Sequence, residues 1–478
     1  MAFALPSRAI VARDTFELQM KRRRWLAGFA LVMTIEQALV AYDFLQIGAS
    51  ATAEPQGDIW RQVTFLAICG ILLLAPANAR PPMRIPVSVV VLLGYCLVTV
   101  LWAIDPVIAL RRLAFASMVI WILVRSIGDL GAVRTLNLIR ATLLALLVLN
   151  YIFVLFTPYG VHTATLDEGE SVIGDWRGIM QNKNLAGSGC ALTVLLFSFD
   201  RDRLPTWLCG GVVAAALFFL AMAQSKTSIG VLAIAAAAGA IMRLYNPRHR
   251  SLVLPVALIA LVGVLQLIEM YSGVIANMID DPTALTGRGA IWPLLLDYAS
   301  DHLWTGAGYG SFWQIGDASP IWTLTSSWVA SVAAHGHNGY LDLLVTIGLP
   351  GLVLAIAVLF VWPALRLLYS TNISRARRAL LTSLMVFAAG HNLTESTLLA
   401  GVSPSYVFLM IAIILIHRLS NQSMGAHQML RSRMMKIASG VQLSRLRGRL
   451  IGADAARIRF ARRRLMRENG APTDGSAA

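Results

Sequence analysis

Residues 333–360 read AAHGHNGYLDLLVTIGLPGLVLAIAVLF. Two histidines one residue apart, His335 and His337, and then Asn338 stand at the mouth of an apolar run, 338–362. A run of about 20 apolar residues is what an α-helix needs to cross the hydrocarbon core of a bilayer. The stretch therefore predicts a membrane helix with polar, proton-handling side chains at one end. What those side chains do depends on the side of the membrane they face and on what else gathers there.

The rest of the chain supports the membrane reading. Of its 478 residues 57% are hydrophobic and only 14% are charged, and the mean hydropathy is +0.66. Soluble domains are about one quarter charged. The four cysteines, Cys69, Cys96, Cys190 and Cys209, all stand in apolar stretches and read as small buried hydrophobes. No cleavable signal peptide is expected, because the first apolar stretch is long enough to span.

Apolar runs occur about twelve times, near 26–47, 59–78, 86–104, 107–125, 136–157, 184–199, 205–223, 227–243, 251–271, 338–362, 379–396 and 401–417. The expected fold class is an all-α polytopic membrane protein of about 12 transmembrane helices. A basic N-terminus (1–25) precedes the transmembrane domain (26–418), and a basic tail (419–478) follows it. Every second loop is basic: KRRR, ARPPMR, RSIGDLGAVR, RLYNPRHR and RLLYSTNISRARR. Cytoplasmic loops carry the excess of Lys and Arg, so these loops and both termini are expected in the cytoplasm. The tail holds twelve Lys or Arg against three acids, a net +9. That charge reads as attraction to anionic lipid headgroups, not to nucleic acid. The one large outer loop, about 272–337, is expected to form short helices over the membrane face, with RGAIWPLLLDYASDHL and SSWVASVAAHG helical and WTGAGYGSFW a glycine-rich turn. Its tryptophans suit an interfacial position.

Charges on the outer side, or inside spans, are exceptions that tend to be functional. Arg288 is the single arginine among five aspartates of the large loop. Arg177 and Lys183 stand just before a span in DWRGIMQNKNLAG, and Lys226 occupies a tight turn in AQSKTSIG. Arg111 and Arg112 follow WAIDP. For each of these cations two readings stay open: a site for an anionic group such as phosphate, or a partner for a nearby acid or the interface, Asp105 in the case of Arg111 and Arg112. Glu36 and Asp43 share a helical face, as do His391 and Glu395; they read as counter-ions or as proton carriers. Arginine's fork matches phosphate oxygens. Imidazole changes charge near neutral pH and suits general-base work, which makes His337 a candidate base and Asn338 a residue to orient a hydroxyl or the ring. A metal site at HGH is disfavoured, because no further ligand stands at metal-binding spacing.

These residues resemble the O-antigen ligase and Wzy-type polymerase superfamily. The resemblance rests on Arg288, Trp292, Gly306, Gly308, Gly310, Phe312, His335, His337, Asn338, Leu341, Gly348 and Gly351 in their order and spacing. DWRGIMQNKNLAG is similar to a second family segment, matched at Arg177, Lys183, Asn184 and Gly187 but departing at Met180 and Gln181. AQSKTSIG resembles an SRT turn with Lys226 in place of Arg, and WAIDPVIALRRL resembles a further segment. Trp304 replaces the usual proline before the glycine turn. The likeness runs from about 95 to 415 and points most to ExoQ-like exopolysaccharide polymerases.

The resemblance implies a glycosyltransferase-C-type helical membrane fold and glycosyl transfer at the outer face of a bacterial inner membrane. The donor would be a glycan on undecaprenyl pyrophosphate, with no cofactor and no metal. By motif, His337 matches the residue that activates the acceptor hydroxyl, with His335 the other candidate, and Arg177 and Arg288 match arginines that hold pyrophosphate. Lys183, Lys226, Arg111, His335 and Glu395 complete the expected substrate-binding set. A chain-length regulator and a flippase are the expected partners besides the lipid. The reading is a polymerase; an O-antigen ligase acting on lipid A core is the alternative within the family, and a proton-coupled transporter is the alternative outside it. The absence of corresponding broken helices in two halves of the sequence speaks against a transporter.

Overall fold

The computed structural model describes residues 8–40, 57–75, 83–163, 173–201, 204–252, 288–325 and 335–421, with single positions at 262, 266, 269 and 270. The basic tail after Asn421, most of the apolar stretch 251–271, Asp43, Asp280, Asp281, Trp328 and most of SSWVASVAAHG lie outside the described residues.

Among the described residues the chain is helical and forms no β-strand. The first eight helices are α1 (Arg8–Leu39), α2 (Gly57–Leu73), α3 (Val87–Thr99), α4 (Pro106–Leu130), α5 (Ala132–Phe156), α6 (Lys183–Ser198), α7 (Thr206–Met222) and α8 (Lys226–Leu244). After these come α9 (Arg288–Asp301), α10 (Gly339–Ile356), α11 (Trp362–Tyr369), α12 (Arg375–His391) and α13 (Pro404–Ser420). Each expected apolar stretch except 251–271 overlaps one of them. Among the described residues four helices are long and apolar enough to cross a membrane: α4, α5, α8 and the run Gly339–Tyr369. Four shorter apolar helices accompany them, at Arg61–Leu73, Val87–Trp102, Thr206–Met222 and Pro404–Ser420.

The packing follows from side-chain spacing. On α4, Ala109, Leu113, Ala116, Ile120, Leu123 and Ile127 recur every three or four residues and are buried, while Val107 and Leu110 on the same helix stay exposed. A helix apolar on every face belongs in lipid or in a core. The core case is α13, where Tyr406 through Ile416 are all buried, against α12, α4, α11, α1 and α6. Small residues bring helices together. A Cβ on Gly239 of α8 would lie 2.8 Å from Phe199, and one on Gly390 of α12 would lie 2.9 Å from Val231. Close backbone approach of this kind is what drives helices together where both neighbours are apolar.

One end of the bundle gathers arginines that hold helix ends. Asp129 takes Arg23 at 3.2 Å and Arg125 at 2.8 Å. Arg140 donates to the carbonyls of Leu196, Phe199 and Asp200, and Arg377 pairs with Asp200 at 2.9 Å. Cations satisfy carbonyls and favour the negative end of a helix. The opposite end carries the motif residues.

The run 338–362 is not one straight helix, as the sequence suggested. It breaks at Gly348, with φ 69° and ψ 177°. Pro350 two residues on has no N–H to give. The glycine-rich turn fills the break: Ala307 N donates to Val345 O at 2.8 Å, and Leu349 N donates to Leu303 O at 2.7 Å. Irregular backbone beside apolar helices survives only when its polar groups are satisfied in this way. A Cβ on Gly306 would lie 2.6 Å from the Thr346 backbone, so glycine is required at the crossing.

Candidate active site

The HGHN segment is a turn gripped from three sides. Asn338 caps α10, its Oδ1 accepting from Tyr340 N at 3.0 Å and Leu341 N at 3.2 Å. Asp342, in the first turn of α10, accepts from Gly336 N at 3.1 Å and from Trp313 Nε1 at 3.0 Å. Trp292 of α9 donates its Nε1 to Gly336 O at 2.9 Å. The N–H and the C=O of Gly336 are therefore both held, and a Cβ there would meet Leu295 at 2.5 Å and Asp342 at 2.6 Å. His337 sits in the left-handed region at φ 49°. Such a conformation is uncommon for a residue with a side chain and tends to occur where the surroundings enforce it.

The loop after α12 forms the facing wall. Gly339 N donates to the carbonyls of Asn392 at 2.9 Å and Glu395 at 3.1 Å, and Asn338 N donates to Ser396 Oγ at 3.0 Å. Asn392, fully buried, ties the loop to itself by accepting from Thr397 N at 2.9 Å and Leu398 N at 3.0 Å. The result places Glu395 Oε2 at 3.7 Å from His337 Nδ1. The other oxygen, Oε1, accepts from Asn184 Nδ2 at 3.0 Å, and Asn184 Oδ1 accepts from Ser225 Oγ at 3.3 Å. Thr394 and Thr227 meet at 3.1 Å. Four segments far apart in sequence, 183–184, 225–228, 335–339 and 392–396, thus meet at one end of the bundle.

The expected site residues fall into distinct places. His335 and His337 are neighbours, with ring centroids 4.2 Å apart. Glu395 faces His337, and it does not share a helical face with His391, because α12 ends at His391 and His391 is turned inward to Ser405 Oγ at 3.0 Å. Asn338 is a helix cap, so its Oδ1 is already occupied. Lys183 is drawn onto buried Asp175 at 2.6 Å. Arg177 donates to Tyr159 O at 2.7 Å and lies over the Tyr159 ring at 4.1 Å, which anchors its own loop. Lys226 is exposed at the start of α8. Arg288 is the first residue of α9, one helical turn before Trp292; its side chain lies outside the described residues. Arg111 is exposed, and its neighbour Arg112 is the one that turns inward. Asp105 pairs with neither by the described contacts; it caps α4 by accepting from Ile108 N at 2.9 Å.

Arg112 belongs to a cavity of about 280 Å³ that borders the HGHN turn. Its lining includes the polar Arg61, Arg112, His335, Asp342 and Ser396 and the apolar Phe115, Leu398 and Val402. Arg112 donates to the carbonyls of Gly310 at 2.6 Å, Trp313 at 2.8 Å and Gln314 at 3.1 Å, so it holds the glycine turn. Tyr309 also lines the cavity and donates to Leu399 O at 2.7 Å; burial pushes its phenol well above the ordinary value, which keeps it a donor. Sequence reasoning missed Arg61, Asp342, Asn392 and Ser396. The signals were present: Asp342 is a charge within an apolar run, and NLTES is a polar break between two others.

Comparison with known proteins fits these elements. Residues 211–356, which include the glycine turn and HGHN, match the family model described as O-antigen ligase. The chain is similar to the exopolysaccharide production protein ExoQ of Rhizobium meliloti (strain 1021), at 26% identity over 284 residues, 55% of this chain and 61% of the relative. The chain thus spans about three-fifths of the length of that curated relative. The family match and the relative are thus both likenesses to O-antigen ligase and ExoQ proteins, as the motif pattern is.

Proposed function

We propose that this protein is a polysaccharide polymerase of the outer face of a bacterial inner membrane. It transfers a glycan from undecaprenyl pyrophosphate to a sugar hydroxyl on a second lipid-linked repeat. The observation that carries this reading is the approach of Glu395 Oε2 to His337 Nδ1, 3.7 Å, in a wall built from three motif segments and the loop after α12. With Nδ1 turned to the carboxylate, Nε2 is the nitrogen left to act as base. The contact is beyond hydrogen-bond length, yet close enough for the carboxylate to stabilise an imidazolium as it forms.

In the transfer, His337 Nε2 takes the proton of the acceptor hydroxyl. The hydroxyl oxygen forms a bond to the anomeric carbon of the donor. The bond from that carbon to the pyrophosphate oxygen breaks, and its electron pair leaves with undecaprenyl pyrophosphate. A single displacement inverts the anomeric centre. General-base help typically supplies about 10²–10⁴-fold, and cations stabilise the charge that develops on the leaving group. Asn338 and Asp342 hold the turn that presents His337 and are positioning residues. The likeness to ExoQ favours the polymerase; the description of the matching family favours, as second reading, a ligase that moves finished chains to another lipid acceptor.

The test is His337→Ala in a strain lacking the native copy, with protein level checked by blot. Surface polysaccharide and the lipid-linked pool are assayed together. The polymerase reading predicts loss of polymer and accumulation of single repeats. Full-length chains accumulating on undecaprenol identify a ligase. Normal polymer at normal protein level overturns the reading.

A further inference from the structure

In an inverting displacement the attacking oxygen and the anomeric carbon stand roughly 3–3.5 Å apart, and the leaving phosphate is bonded to that same carbon. The pyrophosphate therefore has to lie beside the HGHN turn itself. Two of the cations that the sequence singled out are engaged elsewhere: Lys183 with Asp175, and Arg177 with the carbonyl and ring of Tyr159. The cavity that borders the turn meets the requirement, since His335 lines it and the His335 ring lies 4.2 Å from that of His337.

Within this cavity Arg112 is committed to three backbone carbonyls. Arg61, in the second turn of α2, lines the same cavity and makes no hydrogen bond or ion pair with any described residue. The nearby carboxylate of Asp342 is turned onto Gly336 N and Trp313 Nε1, so Arg61 is left uncompensated by it. A cation half out of water with no partner is a cost unless an anion meets it. The mixed lining, with Arg61 and His335 beside Phe115, Leu398 and Val402, suits a ligand that carries both charge and hydrocarbon.

We propose, on the glycosyl-transfer reading above, that this cavity receives the leaving pyrophosphate of the lipid donor and that Arg61 is its phosphate-binding residue. The anomeric carbon then lies between the leaving group and the acceptor hydroxyl, at the edge of the HGHN turn. His335 and Arg61 face the leaving group, and His337 with Glu395 faces the acceptor hydroxyl.

The experiment is equilibrium binding of radiolabelled undecaprenyl pyrophosphate to the purified full-length protein in detergent, for the wild type, Arg61→Gln, Arg61→Lys, and Arg201→Gln at the arginine-rich end of the bundle. Thermal unfolding checks that each variant is folded. Losing one charge-assisted contact is expected to weaken binding on the order of 10- to 100-fold in Arg61→Gln. Arg61→Lys, which keeps the charge but not the fork, falls between, and Arg201→Gln binds as the wild type does. Wild-type affinity in folded Arg61→Gln overturns the proposal. If that result comes with loss of polymer in His337→Ala, the placement of the pyrophosphate alone is wrong. If the wild type does not bind the lipid and His337→Ala makes normal polymer, the glycosyl-transfer reading fails with it.

Discussion

Asn338 and Lys183 show how far a motif residue can be read alone. Both stood in family-like segments, and the sequence assigned the first to chemistry and the second to substrate. Asn338 Oδ1 instead closes the first turn of α10, a cap that typically contributes about 1 kcal/mol. Asn338→Ser, which caps as well, is expected to keep most transfer activity, whereas Asn338→Ala lowers both stability and rate; equal loss in both would make the amide itself catalytic. Lys183→Met strands buried Asp175. Leaving a buried carboxylate without its partner costs about 1–3 kcal/mol or more, so a lower melting temperature is expected, and Asp175→Asn in the same chain should restore most of it. A weakened affinity for lipid at unchanged stability would instead make Lys183 a substrate contact. Glu395→Gln keeps the shape that meets Asn184 but removes the charge facing His337. Transfer assayed with lipid-linked repeats is expected to fall on the order of 10- to 100-fold, and unchanged transfer would remove Glu395 from the mechanism. His337 was legible because its motif is local. Glu395 was expected at the site, but not beside His337, because the two segments meet across 58 positions and helix periodicity had paired it with His391.

At the level of elements, the glycine turn and the broken α10 are one unit. The sequence marked Gly306, Gly308 and Gly310 as a turn and Gly348 as part of the motif, but no periodicity tells that the first fills a gap made by the second. The choice between Arg111 and Arg112 has the same origin. Adjacent residues point about 100° apart on a helix, and only the glycine turn, drawn onto α4 by the Asp105 N to Ser311 Oγ bond at 2.7 Å, decides which one is used. The contact between α10 and the loop after α12 is equally tight, since a Cβ on Gly339 would collide with Asn392 Oδ1. Gly339→Ala is therefore expected to destabilise by about 1–3 kcal/mol, the usual cost of overpacking, and to misplace His337. Thermal unfolding and transfer rate measured together check this. Full activity at wild-type stability would show that the loop yields.

For the whole molecule, charge placement was the clearest signal in the sequence. Basic loops that alternate along the chain become a set of arginines at one end of the bundle, around Asp129 and Asp200, while the motif residues collect at the other. By the positive-inside rule we propose that the motif end faces outward. Cysteine substitution tests it: Lys226→Cys is expected to react with a membrane-impermeant maleimide in intact spheroplasts, and Arg248→Cys only after permeabilisation. The native cysteines give little background, since three are buried and Cys69 is half-buried. The reverse pattern would turn the site to the cytoplasm and remove the proposed substrate.

The central claim is that His337, and not its neighbour His335, takes the proton of the acceptor. The direct measurement is transfer by purified protein acting on lipid-linked repeats isolated from its own strain, comparing His337→Ala with His335→Ala at matched stability. The account predicts a loss of about 10²–10⁴-fold for His337→Ala and a much smaller loss, felt in affinity for the lipid, for His335→Ala. Near-normal transfer by His337→Ala, or the larger loss in His335→Ala, would contradict it.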